Sequence, residues 1–117
     1  MKHFSLDEFD SPDLPNSGIN MDKSFLEKLD LAREYAGIPF KITSGYRSKD
    51  HNKKIGGVEN SSHLIGVAAD IAVSNNSERG IILSALIKAG FKRVGIANGF
   101  LHCDTDESKP NSFWLYS

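Results

Sequence analysis

Two stretches of the chain repeat apolar residues with the period of an amphipathic helix. In residues 22–36 the residues that recur at this spacing are Phe25, Leu26, Leu29 and Ala32. In residues 78–89 they are Ile81, Ile82, Ala85, Leu86 and Ala89. Each set places one stripe on a helix face, so both stripes are predicted to be core. Gly37 and Gly90 follow the two stretches and predict the helix ends.

Shorter stretches alternate apolar and polar residues, as half-buried strands do. They cover residues 40–43, 67–73, 93–97, 100–104 and 113–116. Asn98-Gly99 separates two of them and is a strong hairpin signal. A short helix over 49–55, capped by Ser48, is predicted between the first two strands. Mixed helices and strands with hairpin-like final strands predict an α+β fold, with a central antiparallel sheet flanked by helices.

Residues 1–20 are rich in Ser, Asp, Pro, Asn and Gly, with apolar residues at Phe4, Leu6 and Phe9. Pro12 and Gly18 disfavour a helix there. We therefore expect an extended N-terminal arm that a few apolar anchors hold against the body. The length of 117 residues suits one domain over 1–117, with this arm packed on it.

Charge and composition exclude several function classes. The formal net charge is −1 and the basic residues are scattered, so no nucleic-acid partner is expected. No apolar run is long enough to enter a membrane. The N-terminus has no apolar segment behind its lysine, so we expect synthesis in the cytoplasm without a signal peptide. The single cysteine, Cys103, rules out an internal disulfide, and we expect a monomer.

Two histidines and an aspartate are the candidate metal ligands: His63, Asp70 and His102. Two imidazoles and a carboxylate, with room for a water, suit a catalytic zinc. His63 and Asp70 would lie ~23 Å apart in a straight strand and ~10 Å apart along a helix. Zinc bonds are only ~2 Å long, so the chain must reverse between them. Gly66 permits the backbone angles of such a reversal.

Asp104 is expected to share a pocket with His102, because residues two apart on a strand project from the same face. It can act as a general base that takes a proton from the metal-bound water, or it can orient His102. Cys103, between them, points toward the core. Zinc with these ligands keeps an open position and lowers the pKa of bound water to ~7. Arg47 is the candidate to stabilise an oxyanion or to hold a substrate carboxylate.

The combined pattern resembles a known enzyme family. Ser61-x-His63-x-x-Gly66-x-Ala68-x-Asp70, preceded by Ser44-Gly45-Tyr46-Arg47 and followed by His102-x-Asp104, is similar to the zinc D-Ala-D-Ala carboxypeptidases. That family also includes L,D-endopeptidases that cut peptidoglycan stem peptides, and its fold is shared with the Hedgehog signalling domain. The similarity runs from about Phe4 to the Phe113-Trp114-Leu115-Tyr116 end.

The resemblance implies one Zn²⁺ held by His63, Asp70 and His102. It implies that Arg47 acts in substrate or transition-state binding, with Tyr46 and Ser61 near the pocket. Several enzymes of the family carry an acidic base three residues before the last histidine ligand. In this chain that position is Gly99, and Asp104 is the nearest acidic substitute.

The predicted function is a zinc metallopeptidase whose partner is the peptide part of bacterial peptidoglycan. Its site of action would be the cell wall, in a bacterium, during phage lysis or in a phage virion. The alternative is a non-catalytic domain of the same fold, in which a structural zinc ion would stabilise the fold and the domain would bind cell-wall or protein ligands. Gly99 is the feature that favours this alternative.

Overall fold

The computed structural model describes residues 1–116. Its three α-helices are α1 (Lys23–Ala36), α2 (Lys49–Lys54) and α3 (Asn76–Lys88). Its five strands are β1 (Ile42–Ser44), β2 (Ala68–Ala72), β3 (Arg93–Ile96), β4 (Phe100–Asp104) and β5 (Ser112–Leu115). Three short 3-10 helices cover Leu6–Phe9, Ser17–Asn20 and Ser62–Ile65. The predicted α+β class is confirmed, and each predicted helix and strand has a counterpart in this set.

One five-stranded sheet has the order β1-β2-β4-β3-β5. The pairs β1–β2, β2–β4 and β3–β4 are antiparallel, whereas β3 and β5 are parallel. The sheet is therefore mixed, where the sequence predicted an antiparallel one. β4 ends beside the start of β3, and the following loop crosses to the far side of β3 at that same end. β5 therefore runs in the direction of β3.

Successive side chains of each strand alternate between the two faces of the sheet, and the two faces have different roles. Fully buried apolar side chains of β2, β3 and β4 face the helices, and they are Ala69, Ile71, Val94, Leu101 and Cys103. They join Phe25 and Leu29 of α1, and Ile82 and Leu86 of α3, in one core. The residues between them, including Asp70 and His102, lie on the opposite face. The core prediction was wrong at Ile81, which is 43% exposed because α3 turns its Ile82–Leu86 side to the sheet.

The N-terminal stretch contains two 3-10 turns where the sequence predicted an extended arm. Phe9, at the end of the first turn, is fully buried. Its carbonyl accepts a hydrogen bond from the backbone N–H of Tyr46 at 2.8 Å. A side chain on Gly45 would lie 2.7 Å from the Phe9 Cα. The stretch therefore packs directly on the segment that leads from β1 toward Arg47.

Among residues 1–116, no helix combines the length and the apolar character that a bilayer crossing requires.

Candidate metal centre

Three side chains from distant parts of the sequence meet on the sheet face opposite the core. Asp70 of β2 and His102 of β4 are direct cross-strand partners. Asp70 Oδ1 lies 2.9 Å from His102 Nδ1 and 3.4 Å from His63 Nε2. One ligand atom from each of the three residues lies within 4.8 Å of the other two. The predicted triad is therefore assembled as a group that can hold one metal ion.

His63 is presented by a tight turn and fixed by the backbone. The Ser61 hydroxyl accepts from the His63 N–H at 3.3 Å and caps the 3-10 helix. Gly66 ends this helix with φ +73°, and a side chain there would lie 2.2 Å from the Asn20 carbonyl oxygen. His63 Nδ1 lies 2.7 Å from the Gly45 carbonyl oxygen. Because that carbonyl only accepts, Nδ1 carries the proton and Nε2 is free to bind a metal.

His102 is fixed by a side chain. Its Nε2 lies 2.7 Å from Asp104 Oδ2, and its Nδ1 faces Asp70. When the ring is neutral, a carboxylate that accepts from Nε2 leaves Nδ1 without a proton, and Nδ1 can then bind a metal ion. The prediction that His102 and Asp104 share a face is confirmed by this contact, and so is the placement of Cys103 in the core.

The geometry fits a small divalent ion. Bonds of ~2.0 Å in a tetrahedron separate neighbouring ligand atoms by about 3.3 Å. The distances from Asp70 Oδ1, 3.4 Å to His63 Nε2 and 2.9 Å to His102 Nδ1, lie on either side of this value. The free nitrogens of both imidazoles face the same carboxylate oxygen. With three protein ligands, a tetrahedral ion keeps one position for another molecule. The donor set of two nitrogens and one oxygen is one that zinc accepts.

Electrostatics keep the central carboxylate ionised. Burial by itself raises the pKa of Asp70, but hydrogen bonds and charge from His102 and His63 outweigh it and bring the pKa well below its usual range. For His102, burial lowers the pKa, while the hydrogen bonds to Asp104 and Asp70 raise it above its ordinary value. Two carboxylates thus compete for one imidazole, an arrangement that a metal ion on Nδ1 would relieve.

Both oxygens of Asp104 are occupied, and its side chain is fully buried. Oδ2 accepts from His102, while Oδ1 accepts from Arg93 Nε at 2.7 Å and from the Asp106 N–H at 3.0 Å. Burial raises the pKa of Asp104, but these hydrogen bonds bring it below its ordinary value. Asp104 binds the imidazole nitrogen that faces away from Asp70. Of the two roles considered for it, this placement favours orientation of His102.

Arg47 borders the triad. Its Nη2 lies 3.4 Å from Asp70 Oδ2. Its Nε donates to the Ser44 hydroxyl at 3.0 Å, and its Nη1 donates to Asn52 Oδ1 at 3.3 Å. Burial lowers the pKa of Arg47 although the charge of Asp70 opposes this. The guanidinium remains charged near neutral pH, so a fixed cation lies beside the ligand carboxylate.

An open pocket of about 350 Å³ contains this cluster. Its lining includes Arg47, Ser61, His63, Asp70, His102 and Asp104 from the sequence prediction. It also includes residues that the sequence did not single out for the site, namely Val58, Ser62, Arg93, Phe100 and Lys109. Trp114 and Tyr116 of the last strand region complete the wall. The pocket thus combines a triad, fixed cations and an aromatic side.

Tyr46 does not line this pocket, although the resemblance placed it nearby. Its ring packs against the hydrophobic core. Tyr46 and Arg47 are consecutive residues just after β1, and their side chains lie on different sides of the segment. Because Arg47 takes the pocket side, Tyr46 faces the core. Ser61 lines the pocket and is 8% exposed, with its hydroxyl engaged by His63.

A small α+β domain with a His/Asp/His cluster in an open pocket, beside a half-buried arginine, has the features of a metal-dependent hydrolase. Comparison with known families supports this. Residues 2–104 match the family Peptidase M15, and the chain belongs to that family. The family consists of zinc metallopeptidases, so the resemblance found in the sequence is confirmed. No individually curated protein matches the chain.

Proposed function

We propose that the protein is a zinc-dependent peptidase that hydrolyses peptide bonds in peptidoglycan stem peptides. Its activity would be that of a D-Ala-D-Ala carboxypeptidase or a related L,D-endopeptidase. One observation carries the proposal: His63 Nε2 and His102 Nδ1 both face Asp70 Oδ1, at 3.4 and 2.9 Å, inside a pocket bordered by Arg47. Each imidazole has its other nitrogen engaged, so the nitrogen that faces Asp70 is the one that would bind the ion.

His63, Asp70 and His102 would hold the ion. When bound, the ion would act as a Lewis acid that activates water and polarises a peptide carbonyl. Arg47 stabilises negative charge that develops on that carbonyl, or binds the carboxylate end of the substrate. Asp104 keeps the His102 ring in its ligating orientation. Ser61 holds the turn that presents His63.

The pocket favours the end or a short segment of a peptide as substrate. Its volume of about 350 Å³ is at the small end of ligand sites, which run from roughly 300 to 1,000 Å³. Arg47, Arg93 and Lys109 line it, and cationic side chains suit a substrate that carries carboxylates. A terminal D-amino acid fits this size and charge, and so does an acidic stem peptide.

The test is hydrolysis of defined muropeptides by the zinc-loaded protein. One substrate ends in D-Ala-D-Ala, and a second contains the L-Ala-D-Glu bond. We expect one of them to be cut, with loss of activity in the His63→Ala variant. His51→Ala is the matched control, because His51 lies on α2 and lines a different surface pocket. If neither bond is cut and His63→Ala equals wild type in zinc content, the proposal is wrong.

The second candidate is a non-catalytic domain that binds cell-wall peptides. Two observations favour it: Gly99 occupies the position of the acidic base in several enzymes of the family, and both oxygens of Asp104 are occupied. This candidate predicts one zinc per chain and tight muropeptide binding without turnover. Calorimetric titration of the same two muropeptides, followed by product analysis, separates it from the peptidase.

A further inference from the structure

A chain of four side chains connects the last strand to the candidate metal centre. The Arg93 guanidinium lies over the Trp114 ring, 4.9 Å from its centroid. Arg93 Nε donates to Asp104 Oδ1 at 2.7 Å, and Asp104 Oδ2 lies 2.7 Å from His102 Nε2. The Trp114 ring also contacts the His102 ring directly, with centroids 5.5 Å apart.

The sheet register sets up this chain. Asp70 pairs with His102, His102 with Gly95, and Gly95 with Trp114, so these four residues form one row across β2, β4, β3 and β5. Gly95 leaves the space that the indole occupies, since a side chain there would lie 2.7 Å from the Trp114 ring. The indole can therefore lie across β3 and reach both Arg93 and His102.

The guanidinium of Arg93 is held on three sides. Besides Asp104 and the indole face, it donates to the Pro110 carbonyl oxygen. A planar guanidinium with a stacked face and two fixed acceptors has little rotational freedom. It fixes the plane of the Asp104 carboxylate, for which residues 1–116 provide one other donor to the same oxygen, the Asp106 N–H. That plane determines how the His102 ring is turned.

We propose that Arg93, clamped by Trp114, is a positioning residue for the metal centre. It acts through Asp104 to hold His102 Nδ1 toward Asp70. The inference rests on the metal site of the proposed function and adds that β5 is required to complete it. The residues that match the family model end at Asp104, so Trp114 lies outside the matched range.

The experiment measures zinc affinity of the full chain without substrate, by competition with a chromophoric chelator. The variants are Arg93→Met, Arg93→Lys and Trp114→Leu. Arg79→Met is the matched control, because Arg79 is also half-buried and donates to Asn76 Oδ1 and the Asn98 carbonyl oxygen, away from the pocket. Long-range ¹H–¹⁵N spectra of the zinc-loaded proteins report which nitrogen of His102 carries the proton.

We expect Arg93→Met to weaken zinc binding about 10- to 100-fold, as removal of groups that orient a metal ligand does. Trp114→Leu should weaken it in the same direction but less. Arg93→Lys should recover only part of the loss, because lysine keeps the charge without the planar fork. In wild type we expect His102 to give one signal set with the proton on Nε2. In Arg93→Met, zinc-loaded His102 should give more than one set.

If Arg93→Met and Trp114→Leu bind zinc as Arg79→Met does, the positioning role is wrong. A raised KM with unchanged zinc affinity would likewise overturn it and make Arg93 a substrate contact. In both cases wild-type zinc binding and turnover leave the proposed function standing. If wild type itself binds no zinc, the proposed metal site and this inference both fail. Full recovery of zinc affinity by Arg93→Lys would show that a positive charge at position 93 is sufficient without the planar guanidinium, which also contradicts the proposal.

Discussion

The two histidines of the candidate centre are held in physically different ways. On the loop side (Gly45 and residues 61–66), His63 is oriented by the Gly45 carbonyl and by a turn that ends at Gly66. On the sheet side (Arg93, His102, Asp104 and Trp114), the hydrogen-bond partners of the His102 ring within residues 1–116 are all side chains. Backbone support changes only when the backbone moves, whereas side-chain support can be removed one group at a time. Single substitutions on the sheet side can therefore change the zinc affinity of the centre without moving the backbone.

The largest expected effect is the loss of a ligand from either side. His63→Ala and His102→Ala each remove one of three protein ligands, so both should weaken zinc binding beyond the roughly 10- to 100-fold range seen for supporting residues. Chelator competition measures this, with His51→Ala as control. If either variant binds nearly one zinc per chain with an affinity close to that of the control, the substituted histidine is not a zinc ligand.

Gly45→Ala tests whether the loop side depends on backbone contact. The new Cβ would lie 2.7 Å from both Cα and Cβ of Phe9 and 2.9 Å from its carbonyl oxygen. None of these atoms can move away by side-chain rotation, so the segment has to move. We expect a loss of about 1–3 kcal/mol in the free energy of unfolding, as overpacking gives, together with weaker zinc binding because the carbonyl that orients His63 moves. Urea unfolding of the metal-free protein and chelator competition measure the two effects. Unchanged zinc affinity would show that His63 is oriented by something else.

Asp106 joins the two sides. Its Oδ2 accepts from the Ser62 hydroxyl at 2.7 Å beside His63, and its N–H donates to Asp104. Burial raises the pKa of Asp106, but hydrogen bonds from Ser108 and Ser62 overcome this and lower it to about 2. A carboxylate with a lowered pKa in the folded state stabilises the protein above its unfolded pKa, and this stabilisation is lost as the pH falls.

We therefore expect Asp106→Asn to reduce the free energy of unfolding by about 2 kcal/mol at neutral pH, from the size of the pKa shift. The difference from wild type should shrink between about pH 4 and pH 2. Urea unfolding of the metal-free proteins across this range measures it, so that acid release of metal plays no part. If the difference in the free energy of unfolding stays constant from pH 7 to pH 2, the ionised Asp106 carboxylate is not its source.

The smallest effect is expected at Gly99→Ala. Gly99 lies in the hairpin turn between β3 and β4, its φ is outside the left-handed region, and a side chain there meets nothing within 4 Å. The free energy of unfolding should change by no more than ~0.5 kcal/mol. It is the matched control for Gly45→Ala, since both add the same methyl group. A comparable loss at both positions would mean that contact with Phe9 is not the cause.

Local patterns in the sequence were sufficient to predict much of the centre. Period-two alternation placed His102 and Asp104 on one face and Cys103 on the other. The seven-residue spacing of His63 and Asp70 required a reversal, and Gly66 provides it with φ +73°. The two-residue Asn98-Gly99 loop also fixes the register of β3 against β4. That register pairs Val94 with Cys103 and so places Arg93 opposite Asp104, which could have been predicted from the sequence.

Other parts depended on information that no local pattern contains. The parallel placement of β5, and hence Trp114 beside Gly95, follows from how the loop over 105–111 crosses the end of the sheet. The contacts of Lys109 with the Asn60 carbonyl and the Ser62 hydroxyl join residues nearly 50 positions apart. Ile81 was predicted as core because helical spacing alone does not show which edge of a stripe reaches the sheet.

The most direct test is a crystal structure of the zinc-soaked protein with anomalous data collected on both sides of the zinc edge. The account predicts one anomalous peak, about 2.0–2.2 Å from His63 Nε2, His102 Nδ1 and a carboxylate oxygen of Asp70, with Asp104 still on His102 Nε2. No peak among these three residues at saturating zinc, or a peak bound through His102 Nε2, would contradict it.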